Sequence, residues 1–347
     1  MTVFLLGIIR TIQHEVVTHH VQDLYSSTTP KIAGIASKQR NEAQPPQMLP
    51  SDSRKIALLI EDRPLSLLAP LVLHFIVVLP PDWSIQFIGS EVSIAKLSAS
   101  TSIKSHIKSK KIKLRLIPHG TSIASQELIS RFMTTLWLWE EVLSPAEYVF
   151  VFQTDSIICS KSRRNINHFL KWDWIGAPWR SRKTVGGNGG LSLRRREAIL
   201  EILRVEARRD GDDFEDVWFT KRLQKNGKKI APRHEALKWS GESQVPGGLL
   251  EEMELQKNYR EPDPRTRYEP MGYHIGNSGN QFHTNIWGTK ELRDHVYFYC
   301  PETKMLLNMD AAKFVPGECQ SSWKWEMDAV LKQQSKARHS VGSQVST

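Results

Sequence analysis

The sequence predicts an α/β domain built on a single, mostly parallel sheet flanked by helices. Three observations lead there. Short apolar runs recur at Lys55–Ile60, Trp83–Ile88 and Glu147–Phe152, and the last, rich in β-branched and aromatic residues, ends abruptly in a polar cluster. Such runs read as strands buried on both faces. Between them, Leu128, Ile129, Phe132, Met133, Leu136, Trp139 and Leu143 recur at helical spacing. The resulting order, strand, helix, strand, strand, helix, strand, favours a parallel sheet with crossover helices.

The elements justify themselves in turn. Residues 1–53 are expected to be peripheral, because Ser26–Asp52 is rich in Ser, Thr, Pro, Gln and Lys and poor in aromatics. The α/β domain is placed at 54–315 and a mostly disordered tail at 316–347. Lys55–Ile60 is the first strand, followed by Glu61-Asp62-Arg63-Pro64. Pro64 suits a first helical turn, so Leu65–Val78 is read as a buried helix. It is too short for the roughly 20 residues of a membrane span, and no stable membrane anchor is visible. Trp83–Ile88 is the second strand, Ser93–Ile107 is ambiguous, and Lys111–Ile117 alternates basic and apolar residues as an exposed strand does. Ser125 is the expected N-cap of one continuous helix over the Leu128–Leu143 pattern, ended by Ser144-Pro145.

Composition narrows the function classes. The 347 residues carry 47 basic and 37 acidic side chains, a formal charge of +10. That favours anionic partners such as nucleotides. Lys104–Arg115 holds part of this charge without interleaved aromatics, which reads as a solvated face rather than a nucleic-acid surface. Cys159, Cys300 and Cys319 have neither framework nor zinc-ligand spacing, so reduced structural thiols are expected. The sequence lacks an H-x-x-x-H pair and a G-x-S-x-G elbow, which leaves a histidine metalloprotease and a serine hydrolase unsupported.

Four stretches carry candidate chemistry. Asp155 closes the buried run ending Phe152-Gln153-Thr154, a place where ligands gather in open α/β sheets, and a carboxylate there can hold a divalent cation or equally cap the following turn. Gly186-Gly187-Asn188-Gly189-Gly190 lets a ligand approach the backbone closely, or makes a hairpin turn at Asn188-Gly189. Arg194, Arg195 and Arg196 then read as a solvated helix start, ahead of the alternative that they neutralise phosphates. Glu215 and Asp216 open an apolar helix, where either carboxylate would be favourable electrostatically or could accept a proton from a substrate hydroxyl. His274 sits in a polar loop, Pro270–Asn277, and by itself reads as a surface residue.

Taken in order, Glu61-Asp62-Arg63-Pro64, Leu79-Pro80-Pro81-Asp82-Trp83, Phe152-Gln153-Thr154-Asp155-Ser156, Trp174–Trp179, Gly187–Arg194 and Glu215–Phe219 resemble an uncharacterised family of glycosyltransferase-like proteins, common in fungi and also found in bacteria. The resemblance spans roughly residues 54–275. It implies the type A nucleotide-sugar transferase fold, and transfer of a sugar from a nucleotide donor to an acceptor hydroxyl on a sugar, glycan or protein. In such enzymes an Asp-x-Asp motif binds Mn or Mg and the donor diphosphate. Here Gln153 replaces the first acid, so Asp155 alone carries over as a metal ligand, with His274 completing the site. The resemblance also places Gln153, Asn188, Gly189 and Gly190 against the donor, and Glu61 and Arg63 by the nucleoside. It makes Asp216 the base, with Glu215 its neighbour and rival. A catalytically silent carbohydrate- or nucleotide-binding relative and a basic nucleic-acid-binding protein are the competing readings. The compartment is cytoplasmic by default, or the Golgi lumen if the N-terminus given is incomplete.

Overall fold

The computed structural model describes residues 54–179, 185–242, 268–276 and 290–307. Its main sheet has six strands: β1 (Lys55–Glu61), β2 (Ser84–Gly89), β3 (Ile112–Leu116), β4 (Tyr148–Phe152), β6 (Trp174–Ala177) and β7 (Asn188–Arg195). They are ordered β3-β2-β1-β4-β7-β6. The first four pair in parallel, and β7 lies antiparallel between β4 and β6. This is the mostly parallel α/β sheet expected from the sequence. The expectation of one sheet was incomplete, because β5 (Ser156–Ile158), β9 (Gly272–His274) and β8 (Ser240–Glu242) form a second, three-stranded sheet.

Strand alternation explains why the main sheet is covered on both faces. Along β4, Phe150 and Phe152 join a core built with Phe75, Leu97, Ile103 and Trp239. Val149 and Val151 join the opposite core with Phe132, Trp139, Ile199 and Phe219. The helices divide accordingly. α1 (Leu68–Val78), α2 (Glu91–Ser98), α3 (Thr101–Lys108) and α7 (Arg233–Trp239) supply the first core. α4 (Gln126–Met133), α5 (Arg196–Leu203) and α6 (Glu215–Lys225) supply the second. The ambiguous segment thus resolves into two short helices, capped by Ser90 and Ser100. β3 is an edge strand whose Lys113 and Arg115 are exposed.

Two helix expectations need correction. α1 starts at Leu68 rather than Leu65 and carries Pro70 in its first turn, where a missing N–H costs nothing. The continuous helix expected after Ser125 is broken. Ser125 caps α4 as expected, accepting from Leu128 N at 3.2 Å. Thr134 then bonds back to the Ser130 carbonyl at 2.8 Å and ends it. A separate π turn, Leu138–Val142, follows, pinned by Trp139 Nε1 donating to Met133 O at 2.6 Å.

The cysteine expectation is also corrected. Cys159, just after β5, is disulfide-bonded to Cys300, just after α8 (Lys290–Tyr299). Both are buried. Wide sequence spacing hid a pair that the fold makes adjacent. Cys319, the peripheral N-terminal segment and the tail from 316 lie outside the described residues.

Phe150 is fully buried and contacts Phe75, Phe152, Trp83 and Trp239 ring to ring. Phe150→Ala is expected to cost about 3–5 kcal/mol, read as a lower urea midpoint with an unchanged slope.

Candidate active site

The site grows from the way β4 stops. β4 ends where Gln153 N donates to Gly190 O at 2.9 Å, and the chain then turns. Ser156 closes that turn: its Oγ accepts from Gln153 N and donates to Gln153 O, both at 2.9 Å. Asp155 therefore stands at the tip of a tight turn between β4 and β5. Its carbonyl accepts from Ile275 N at 2.8 Å, which ties the tip to the end of β9.

The small sheet delivers the other groups. Ser156 and Glu242 are both in register with His274, from β5 and β8 on either side of β9. His274 Nδ1 lies 2.8 Å from Glu242 Oε2, and Nε2 lies 3.4 Å from Asp155 Oδ1. All three side chains are largely buried. Burial alone would lower the imidazole pKa, but the Glu242 and Asp155 carboxylates outweigh it and raise it well above the usual value. Nε2 is buried and has no hydrogen-bond partner. His274 is thus not the surface loop residue expected. It is a buried strand residue, because β9 inserts between β5 and β8.

The glycine stretch is corrected as well. Asn188–Gly190 opens strand β7 and forms no Asn-Gly hairpin turn. Asn188 Oδ1 accepts from Gly190 N at 2.6 Å. A Cβ on Gly190 would lie 2.4 Å from both Gln153 Oε1 and His274 Nε2. The missing side chain leaves these two atoms converging on one space. A Cβ on Gly189 would meet Glu215 Oε1 at 2.3 Å and Arg194 Nη2 at 2.8 Å. Consecutive glycines therefore line two different groups, one on each side of the strand.

Arg194 governs the second group. It is fully buried, not part of a solvated helix start. Its Nη1 and Nη2 donate to both carboxylate oxygens of Glu215, at 2.8 and 2.9 Å. Nε donates to Ser192 Oγ at 3.0 Å, Nη2 reaches Gly189 O at 3.3 Å, and the guanidinium lies 4.3 Å from the Trp174 ring centroid. Arg195 pairs with Asp173, and Arg196 bonds the Trp139 carbonyl. Glu215 is therefore occupied. Asp216 is held differently, accepting from Gly189 N at 3.1 Å and from Val217 N at 2.8 Å. Burial, then the neighbouring Glu215 charge, push Asp216 up to about 6, against the two backbone bonds and Arg194.

Glu61 and Arg63, expected beside the nucleoside, bind each other. Arg63 Nε and Nη2 donate to the two Glu61 oxygens at 2.8 and 2.7 Å, and Thr154 Oγ1 donates to Glu61 Oε2 at 3.4 Å. That bond links the end of β1 to the Gln153–Ser156 turn. Beyond the ends of β1, β2 and β3 lies a cleft of about 720 Å³, lined among others by Asp62, Ser90, His119 and Trp137.

Sequence reasoning missed Glu242 and the burial of Arg194. Leu191-Ser192-Leu193-Arg194 carried a period-two signal that could have placed Arg194 in a strand. Nothing local marks Glu242, which matters only through its register with His274. Among the described residues, no cluster of three or more His, Cys, Asp and Glu side chains is arranged to hold a metal ion. Asp155 and His274 with the Gln153 amide oxygen nonetheless offer donor types suited to a divalent cation: Nε2 is buried and faces Asp155 Oδ1 at 3.4 Å without a hydrogen bond, and Nδ1 is engaged by Glu242. Asn277 lies outside the described residues.

Residues 111–258 match a family model described as a protein of unknown function, DUF5672. That span includes Asp155, the glycine pair, Arg194, Glu215, Asp216 and Glu242, and excludes Glu61, Arg63 and His274. No curated protein matches the chain. Similar solved structures include the apo bifunctional glycosyltransferase WbbM (10% identity, TM-score 0.41), covering 74% of this chain and 51% of that one. Another is the glycosyltransferase GlyE of Streptococcus pneumoniae TIGR4 (14%, 0.42), covering 77% and 66%. A third is the mannosyltransferase PcManGT of Pyrobaculum calidifontis in complex with GDP-Man and Mn2+ (13%, 0.38), covering 83% and 84%. The chain thus spans about half the length of WbbM. No helix among the described residues is long and apolar enough to cross a membrane.

Breaking the buried pair tests its role in assembly. Arg194→Met is expected to cost about 3–5 kcal/mol by stranding the Glu215 carboxylate, and adding Glu215→Leu should recover much of the loss. Urea unfolding of both single variants and the double variant reads the coupling.

Proposed function

We propose that the protein is a glycosyltransferase that moves a sugar from a nucleotide-sugar donor to an acceptor hydroxyl, with Asp216 as the base. The observation that carries this reading is the contrast within the Glu215–Asp216 pair. Glu215 is neutralised by a buried arginine, whereas Asp216, beside the glycine strand, is raised to about 6. A carboxylate with that affinity for protons is better matched to taking one near neutral pH than an ordinary aspartate. Gln153–Asp155 follows the end of β4, where Gln153 N donates to Gly190 O beside the start of β7. The two groups therefore share one end of the sheet, where open α/β sheets bind ligands.

Asp155 and His274, with Gln153 beside them, would hold a divalent cation, Mn or Mg, which would supply charge neutralisation at the leaving diphosphate. Asp216 accepts the acceptor hydroxyl's proton as the oxygen bonds to the anomeric carbon and the bond to the diphosphate breaks. Arg194 keeps Glu215 in place and so fixes the helix that carries Asp216. The missing side chains at Gly189 and Gly190 let Glu215 and Arg194 on one side of the strand, and Gln153 and His274 on the other, close against the backbone. The cleft beyond β1–β3 takes the nucleoside, with Trp137 as a stacking surface, and its volume suits a ligand of that size. Arg63, half-exposed and braced by Glu61, supplies positive charge beside Asp155.

One observation favours a second reading, a silent nucleotide-binding relative. Both Asp216 oxygens already accept backbone hydrogen bonds, as a purely structural link between β7 and α6 would. Asp216→Asn separates the two. As the base, it loses about 10²–10⁴-fold in transfer rate while binding UDP or GDP like wild type. As a link, it leaves transfer intact. The wild-type kcat/KM should also fall as pH drops through about 6, because the base must be deprotonated to act. A rate flat from pH 5 to 8 contradicts that role. Glu215→Gln in parallel keeps the assignment honest, and NMR of the product's anomeric centre reads the stereochemical outcome.

The compartment follows from the disulfide in this proposal. A buried Cys159–Cys300 bond fits an oxidising compartment, such as a secretory lumen, better than the cytoplasm. Alkylation before and after reduction, followed by mass spectrometry of protein from its native source, should find both thiols protected until reduction. Free thiols in the unreduced sample restore the cytoplasmic reading.

A further inference from the structure

The buried carboxylate of Glu242 has no place in the transfer chemistry above, yet it makes the shortest contact to His274. Its Oε2 lies 2.8 Å from Nδ1, and both side chains are largely buried. The parallel pairing of β8 with β9 fixes the contact through backbone register, Glu242 opposite His274. A carboxylate acceptor at Nδ1 requires that nitrogen to carry the proton. Nε2 is then the nitrogen that ligates once a cation displaces its proton. It is buried, has no hydrogen-bond partner, and faces both Asp155 Oδ1 at 3.4 Å and the space that the missing Gly190 side chain leaves beside Gln153 Oε1.

We infer that Glu242 is a positioning residue for the cation site, orienting the His274 ring and presenting Nε2 as a ligand toward Asp155. This rests on the proposed divalent-cation site. It goes beyond it by assigning a residue that touches neither diphosphate nor sugar. The physical reason is general. A ligating histidine whose second nitrogen is bonded to a carboxylate is held in one tautomer and one orientation and becomes a stronger donor. Without that partner the buried ring keeps its volume but loses its orientation. The small sheet then has a role of its own: β8 brings the carboxylate, β9 the imidazole, and the turn into β5 brings Asp155.

The test uses the full chain and Mn(II) with GDP or UDP in separate arms. Free Mn(II) is counted by electron paramagnetic resonance, and the nitrogen modulation of the bound ion reports imidazole ligation. Glu242→Gln keeps the shape and an acceptor oxygen but removes the charge. It is expected to weaken Mn(II) binding about 10–100-fold and to diminish the nitrogen modulation, with a melting temperature close to wild type. Glu242→Asp should recover part of both. Should Glu242→Gln fail to fold, Glu242→Asp carries the comparison alone, with intermediate affinity and modulation expected. Wild-type affinity and modulation in the folded Glu242 variant, with both lost in Asp155→Asn and His274→Gln, overturn the role of Glu242 while leaving the cation site standing. Absence of Mn(II) binding by the wild-type chain in both nucleotide arms overturns the cation site and this inference together.

Discussion

The bidentate pair between Arg194 and Glu215 is the interaction on which the rest of the candidate site depends. A buried guanidinium is costly unless every donor finds a partner. Here the partners come from three elements: Glu215 at the start of α6, Ser192 and the Gly189 carbonyl on β7, and the face of Trp174 on β6. Satisfying the arginine therefore fixes the helix start against the strand. Asp216 follows Glu215 by one residue, so its place beside Gly189 is settled by the same contact. The charge arithmetic is settled too. Arg194 neutralises the nearer carboxylate, and Asp216, partly buried without a cation of its own, is the one whose proton affinity rises.

A second constraint is the direction of β7. Because it runs antiparallel to β4, its first residues lie beside the last residues of β4. The turn Gln153–Ser156 and the glycine stretch therefore meet, although 32 residues of sequence separate Ser156 from Asn188. At 189 and 190 an added Cβ would collide with Glu215 and Arg194 on one side of the strand and with Gln153 and His274 on the other. The three-stranded sheet completes the arrangement by carrying His274 back to Asp155 from the far end of the domain. The Cys159–Cys300 bond ties the end of β5, close to that turn, to the chain after α8.

Much of this was legible in the sequence, and the limit is physical. Local patterns determined the α/β class, the four parallel strands, the cap at Ser125, Asp155 at a strand end, and the acid pair opening a helix. Those depend on side-chain period and on groups within a few residues of one another. Tertiary structure alone decided what depends on partners distant in the chain. Arg194 looked like one of three solvated arginines until β6 and α6 buried it. His274 looked like a loop residue until β8 and β9 paired beside it and made Glu242 its neighbour. Asn188-Gly189 carried a strong turn signal, yet pairing with β4 drew it into a strand. Cys159 and Cys300 gave no spacing rule, because a pair 141 residues apart is visible only when the fold closes the loop between them. Periodicity is written along the chain, whereas burial, register and charge pairing exist only between segments that the fold has brought together.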